Sequence, residues 1–545
     1  MGRAASKGVL IAAIAGSGVV FLDATVVTVA LPQIAQELPT PRLGGLEAQA
    51  YVYNAYLLSL GSLLVLAGAL GDVHGRRRVY GIGLGGFAAA SLICALAPTM
   101  EILIAARVLQ GAAAAAIVPG ALAIITTAFD GEARGRAFGL WAGASGVATI
   151  VGPVLGGVLV DVVSWRAVFL VPVPIALLGL WLTSRHVSES RDPRSLARVD
   201  WLGSLAIAVA VGGLSVGTIR GQQQAWVDPL AWVALAAGVV GVVAFVVRML
   251  RAAEPLVPPA LFASRNFTVT NVSTVTTYGA LYVTMYVVVV FLQGTLGYNA
   301  AAAGMATVPT VVFLAAFSTR IGVSAAQHGP RWFMTAGPAL MAAGALLLTR
   351  VSGSGAGWTL DVARPVTWRP PVEYVTTLLP GLVVFGLGIM VVVAPLTTVL
   401  MSSIPQERAG VASAVNNALS RVGPQLAMAV VFLAISASFY GDLADRLDGF
   451  DASSTETRLE LAPLVAPSGD VEPLVADAAR EASLGAFRLA MVASALLAAA
   501  GAVVNAVGIE DPPRLSSSRR PVECLPGATP PVPAQPVEGH QRPAG

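Results

Sequence analysis

The sequence predicts an all-α, polytopic membrane protein of about fourteen transmembrane helices. Three observations carry that expectation. Of 545 residues, 56% are hydrophobic and only 12% charged, with a mean hydropathy of +0.75, whereas a soluble chain carries about 25% charged residues. The charges gather between apolar blocks of roughly 20 residues, the length a helix needs to cross hydrocarbon. Arginine recurs in alternate gaps, as expected when cytoplasmic loops hold the basic excess.

The elements follow in order. The first helix is expected near 8–31. Its basic start and apolar run imitate a signal peptide, but the run continues through Asp23 to Leu31, too long for a signal core. Gly2 and Ser6 also fit a myristoylation pattern, which adds little to a chain held by many helices. Helices near 50–70 and 79–97 flank the tight basic turn around Arg76, Arg77 and Arg78. Spans near 101–128 and 135–160 are separated by a loop carrying Arg134 and Arg136. The span near 165–184 ends at the charged linker SRHVSESRDPRSLARVD. Spans near 201–220 and 229–250 come next, then 269–293, 302–322, 331–349, 374–402, 409–437 and 484–508.

The short gaps near 98–100, 221–228 and 294–301 contain no Lys or Arg, which places them outside. Two long outside segments, 350–373 and 438–483, break the pattern, and long loops follow it poorly. The second is acidic (Asp442, Asp445, Asp448, Asp451, Glu456, Glu460), with room for a short surface helix. An even number of spans puts both termini in the cytoplasm. The organisation expected is an N-terminal six-helix bundle over 1–184, then a linker, two extra spans and a loop over 185–268. A C-terminal six-helix bundle over 269–510 and a Pro-rich, disordered cytoplasmic tail over 511–545 complete it. Gly329, Pro330 and Arg331 echo Gly75, Arg76 and Arg77 in the second bundle, which suggests related halves.

Composition also excludes classes. A net charge of +3 gives no reason to expect nucleic-acid binding. Cys94 falls in a span and Cys524 in the tail, so neither a disulfide nor a metal site is expected. His74, His186, His328 and His540 are scattered through loops and tail. Gly81, Gly83 and Gly86 fit a dinucleotide fingerprint but lack its preceding strand and following acid. No cofactor is expected.

Charges inside a span are costly and mark function. Asp23 is the only carboxylate well inside a predicted span, and Arg107 is the clearest buried cation. Asp23 lies about 21 Å along the first helix, roughly 9 Å from the outer edge of a 30 Å core. Arg107, on a helix that starts outside, lies about 9 Å below the same edge. The two therefore lie at matching depth.

Several motifs resemble the major facilitator superfamily of transporters, and within it the fourteen-span drug:proton antiporters. The loop GALGDVHGRRR at 68–78 resembles the superfamily's loop signature through Gly68, Gly71, Asp72, Gly75, Arg76 and Arg77. FLDATVVTVALP at 21–32 resembles the first-helix motif, with Thr28 where Asn is usual. RVLQG at 107–111 resembles the fourth-helix motif, whose arginine is linked to proton transfer. GPVLGG at 152–157, with Gly152, Pro153, Gly156 and Gly157, resembles the fifth-helix motif associated with antiport. WRAVFLVPVP at 165–174 resembles the sixth-helix entry but has Ala167 and Pro172 where Trp and Asn are usual. ERAGVASAVNNALSRVG at 407–423 resembles the entry to the thirteenth helix, altered around Arg421.

The resemblance implies a major facilitator fold, two bundles rocking around a central cavity, and a proton-driven exporter of small amphipathic or hydrophobic compounds. In the resembled fold helices one and four both line that cavity. With the matching depth, this implies that Asp23 and Arg107 face each other or share a water network and couple protons. The plain alternative is that each bonds to backbone or snorkels outward. Asn54, Tyr56, Gln110, Asn416 and Asn417 are candidates for contact with substrate, and Asn416 and Asn417 equally fit contact with neighbouring helices. The loop implies a latch in which Asp72 meets the N-terminus of the helix starting near 409, while Arg76 and Arg77 anchor to lipid phosphates or to Asp72. The partners expected are protons, a small-molecule substrate and the bilayer of a bacterial cell membrane, with the protein acting as a monomer. The rival readings are a proton-coupled uptake or metabolite transporter and a membrane-embedded enzyme acting on lipid-linked substrates.

Overall fold

The computed structural model describes residues 3–511 apart from 39, 41–44, 130, 191–199, 224–226, 254, 256, 258, 354–356, 362, 405–408, 448–453, 455–457, 459 and 466–470. The side chains of Asp72 and Arg421 also lie outside the described set. So do the tail beyond Asp511, most of the 184–200 linker and the stretch where a short surface helix is expected.

Helices form at each position where the sequence predicts one, and no strand occurs among the described residues. The first span is α1 (Arg3–Val26), a 3₁₀ turn and α2 (Leu31–Glu37). Then come α3 (Gly45–His74), α4 (Arg76–Leu96), α5 (Met100–Ala128) and α6 (Gly131–Val162). The sixth span is divided into α7 (Trp165–Leu170) and α8 (Pro172–His186), because Pro172 removes a backbone donor at the junction. The extra pair is α9 (Trp201–Gln223) and α10 (Pro229–Arg251). The rest are α11 (Arg265–Gly294), α12 (Ala300–His328), α13 (Pro330–Leu348), α14 (Leu379–Ser402), α15 (Ala409–Arg446) and α16 (Pro473–Gly508). Among the described residues, eleven spans are long and apolar enough to cross a membrane, and α12, bent by 41° just after Pro309, makes a twelfth.

The expected long outside loop at 438–483 is shorter in the structure. α15 continues to Arg446 and α16 begins at Pro473. Their extended ends are tied by Arg446, which bonds Asp442 at 3.0 Å and Glu481 across the helix pair. The acidic residues that look like loop in the sequence are therefore partly the polar ends of helices.

Within residues 3–186, α3 and α4 pack on α5, and α1 packs on α6 and α8. Within 265–508, α13 packs on α14 and α16, α12 on α14, and α11 on α15 and α16. The two groups meet where α6 packs on α12 and α3 on α15. α9 and α10 pack chiefly on each other, and α9 touches both α3 and α15. A Cβ at Gly213 would lie 2.5 Å from the Gly238 nitrogen, and one at Gly241 2.5 Å from the Ala210 nitrogen. Only glycine lets these two backbones approach so closely.

The two halves repeat a corner. Gly75 alone separates α3 from α4, and Gly329 alone separates α12 from α13, with φ of 108° and 96°. Side chains other than glycine rarely adopt that conformation. After each glycine, an arginine reaches the C-terminal turn of the last helix of its own half. Arg77 Nη2 donates to the Ser184 carbonyl at 2.7 Å, and Arg331 Nε donates to the Ala506 carbonyl at 2.8 Å. Cations suit these positions because terminal carbonyls lack helical partners.

Candidate functional site

Asp23 is wholly buried and Arg107 is 1% exposed. Asp23 sits on the last turns of α1, where the apolar run gives no other polar exit. Arg107 sits two turns into α5, whose start is set by the Thr99 cap. Arg107 Nη1 donates to Asp23 Oδ2 at 2.6 Å. Gln110, one turn beyond Arg107 on the same face, donates through Nε2 to Asp23 Oδ1 at 2.9 Å and to Ser91 Oγ at 2.8 Å. Its Oε1 accepts from Arg107 Nη1 at 2.6 Å. Arg107 Nε donates to the Val52 carbonyl at 3.2 Å.

Aromatic rings close the site. The Arg107 guanidinium lies 4.3 Å from the Tyr56 ring centroid and 5.7 Å from that of Phe169. Tyr56 in turn donates to the Val20 carbonyl at 3.2 Å. A buried ion pair holds only when its hydrogen-bonding groups are well satisfied. Here groups from α3 and α5 serve both Asp23 oxygens and the Nε and Nη1 of Arg107, while two rings cover the guanidinium. The acid can exchange a proton only if water reaches it, and in this arrangement no part of it is exposed.

The five candidates for substrate contact take different positions. Gln110 and Tyr56 turn their polar atoms to Asp23, Arg107 and Val20, so both belong to the pair's own shell. Asn54 is buried with its Oδ1 unpartnered. Asn416 donates to Asn271 Oδ1 at 3.1 Å and Thr274 Oγ1 at 2.7 Å on α11, inside the other half. Asn417 is half-buried on the same helix. Ser91, the Val52 carbonyl and Phe169 are absent from the sequence-based expectations. A serine within the apolar run of α4 is a legible signal, but the carbonyl and the ring can be found only from packing.

The loop at 68–78 forms a tight corner. Gly68 and Gly71 lie within α3, and a Cβ at Gly71 would meet nothing within 4 Å. The Arg77 N–H donates to Glu189 Oε1 at 3.1 Å, and the Arg76 N–H to the Ser190 carbonyl at 3.0 Å. Arg77 thus bonds the end of α8 and the segment after it. This follows because α8 ends beside the corner with unpaired carbonyls. The expected anchoring of the arginines to Asp72, and the expected contact of Asp72 with the start of α15, lie outside the described residues.

The glycines at 152–157 are all in close contacts. A Cβ at Gly152 would lie 2.0 Å from Thr25 Oγ1, and one at Gly156 2.6 Å from the Val26 carbonyl oxygen, both on α1. A Cβ at Gly157 would lie 2.4 Å from the Ala300 carbonyl oxygen, and one at Gly304 2.2 Å from that of Pro153. This segment therefore joins α1 to α6 and α6 to α12. One turn on, the Asp161 carboxylate accepts from the Ala300 and Ala301 N–H groups at 3.3 and 2.8 Å. Nearby, the rings of Tyr53, Tyr286 and Phe432 follow one another at 5.3 Å centroid spacing from α3 through α11 to α15. The two halves are closed against each other at this end.

A family model described as Major Facilitator Superfamily matches residues 13–428. The chain is 32% identical over 440 residues to Multidrug resistance protein Stp of Mycobacterium tuberculosis, covering 81% of this chain and 78% of that one. It is 34% identical over 446 residues to Puromycin resistance protein pur8 of Streptomyces alboniger, covering 80% and 83%. Among solved structures, a bacterial homolog of the human lysosomal transporter Spinster superposes with a TM-score of 0.62 at 16% identity, covering 93% of this chain and 98% of that one. That last likeness concerns the fold alone.

Proposed function

The chain belongs to the Major Facilitator Superfamily, and from that premise we propose that this transporter is a proton-coupled antiporter exporting small amphipathic or hydrophobic compounds, drugs or antibiotics among them. The observation that carries the reading is the sealed carboxylate. Asp23 is the hub of a network in which Arg107 and Gln110 bind both of its oxygens. Such an acid responds to two opposed influences, the exclusion of water and the neighbouring guanidinium. Any rearrangement that separates Arg107 or admits water changes whether Asp23 holds a proton. Rocking the halves about the α6–α12 and α3–α15 contacts would supply that rearrangement. One elementary charge crossing the membrane supplies about 2.3 kcal/mol per 100 mV, enough for a substrate gradient of roughly fifty-fold.

The resistance names of the relatives support the outward direction and the kind of cargo. In this reading the protein sits in a bacterial cell membrane with both termini in the cytoplasm. It works as a single copy and needs no cofactor beyond the proton gradient. The closed Asp161 end is then the outer one.

The test is flux in reconstituted vesicles with an imposed pH gradient. A fluorescent amphipathic dye is expected to move against its gradient in proportion to the pH difference. Asp23→Asn, which keeps a partner for Gln110, is expected to cut the flux per folded molecule at least tenfold, with folded protein quantified separately because Arg107 loses its counter-charge. Dye movement indifferent to the pH gradient sinks the proposal.

A further inference from the structure

At the closed end a cavity of about 230 Å³ lies between the two halves. Gln33 and Gln36 of α2, Gln49 of α3, Asp161 of α6, Gln293 of α11 and Tyr298 of the loop after it all line it. Gln49 is only 1% exposed, yet neither its Oε1 nor its Nε2 has a hydrogen-bond partner. Gln293 Nε2 is likewise buried and unpartnered. A buried amide left without partners costs about 1–3 kcal/mol, so a side chain in that position signals a missing ligand or water.

The charge of the wall is one-sided. Its only ionisable groups are the Asp161 carboxylate and the Tyr298 phenol, and no Lys, Arg or His lines it among the described residues. Burial pushes the phenol up to about 12, so it stays neutral. Two backbone N–H groups and the Asn299 side chain are bound by Asp161, which still leaves acceptor capacity on its oxygens. The amide oxygens add acceptors, and the amide nitrogens offer donors to a hydroxyl or carbonyl. The cavity is too large for one water.

We propose that this cavity binds a small protonated amine that carries at least one further hydrogen-bonding group. The ammonium would sit against Asp161 and the Gln49 amide oxygen, and the second polar group against Gln293. Since the wall comes from both halves, an occupant would favour the closed arrangement of this end, by whatever affinity it loses when the halves separate. The inference goes beyond the export reading and does not depend on it.

The experiment uses the full-length protein in nanodiscs, with protonated ethanolamine as the probe and propylene glycol as the neutral control of similar size. Saturation-transfer NMR reads binding, and thermal unfolding reads ligand stabilisation. Ethanolamine is expected to bind saturably and raise the melting temperature, and propylene glycol is not. Gln49→Leu, which removes no existing hydrogen bond, is expected to weaken ethanolamine at least tenfold. Gln293→Leu provides the same comparison should Gln49→Leu fold poorly. Equal binding of the diol, binding unaffected by both variants, or no saturable binding at millimolar ethanolamine would each overturn the proposal and leave a cavity that holds water. Dye flux in vesicles would be untouched by any of those results.

Discussion

Arg107 shows how one residue is committed to several tasks. It donates to Asp23, Gln110 and the Val52 carbonyl while lying over Tyr56. Lysine has neither the planar fork nor the ring-stacking face to do this. Arg107→Met strands Asp23 in an apolar interior, and breaking one side of a buried pair costs about 3–5 kcal/mol. The expected outcome is a marked fall in melting temperature that Asp23→Asn largely restores in the double variant, read by a thermal double-mutant cycle. A fall that simply adds in the double variant would mean the pair is not coupled. Gly75 presents a different demand. Its φ of 108° excludes a side chain, and a methyl placed there would come within 2.6 Å of the Glu189 carboxylate. Gly75→Ala is expected to cost about 1–3 kcal/mol, seen as lower folded yield and earlier unfolding.

At the scale of elements, the repeated corner is the clearest sign of two related halves. The sequence echo covers three residues, whereas the structural one includes the glycine conformation and an arginine bound to a terminal carbonyl. The partner carbonyls of Ser184 and Ala506 are more than a hundred residues from their arginines, and backbone atoms leave no mark in a sequence. The α9–α10 hairpin is a second closed unit, pinned by Arg248–Asp200 at 2.9 Å at one end and by Arg220 with Asp228 at the other. The Leu230 N–H, and then Arg220, hold the Asp228 carboxyl below the usual carboxylate range. A depressed value stabilises the fold above the ordinary carboxylate range, and that contribution fades as pH falls through the lowered one. The protection factor of the Leu230 amide, the exchange rate corrected for its intrinsic pH dependence, is expected to be flat near neutrality and to fall only in acid below about pH 4. Asp228→Asn should remove that acid-dependent fall.

Across the whole molecule, closure of one end rests on glycine. Gly157 against Ala300 and Gly304 against Pro153 set the approach of α6 to α12, and Asp161 ties the same ends. Gly157→Leu is expected to hold the halves apart at that end, abolish dye flux, and speed alkylation of a cysteine placed at Gln49. Flux that survives with slow alkylation would show that the contact is dispensable. Asp161 goes unnoticed in the sequence because it stands at a span's end, where a charge is inexpensive and its function cannot be told from simple solvation. The Asp23–Arg107 pair is legible for the opposite reason. Isolated charges deep in apolar runs have few explanations, and the rise per residue sets their depth.

The sequence alone determined the helices, their order and the depth of the two buried charges. Those follow from the length of apolar runs and the cost of charge in hydrocarbon, which act locally along the chain. Tertiary structure alone decided that Gln110 and Tyr56 serve the ion pair, that Arg77 caps α8, and that unpartnered glutamines meet Asp161 in one cavity. Those depend on which helix faces come together, and apolar spans without strong polar faces leave that to close packing of small residues.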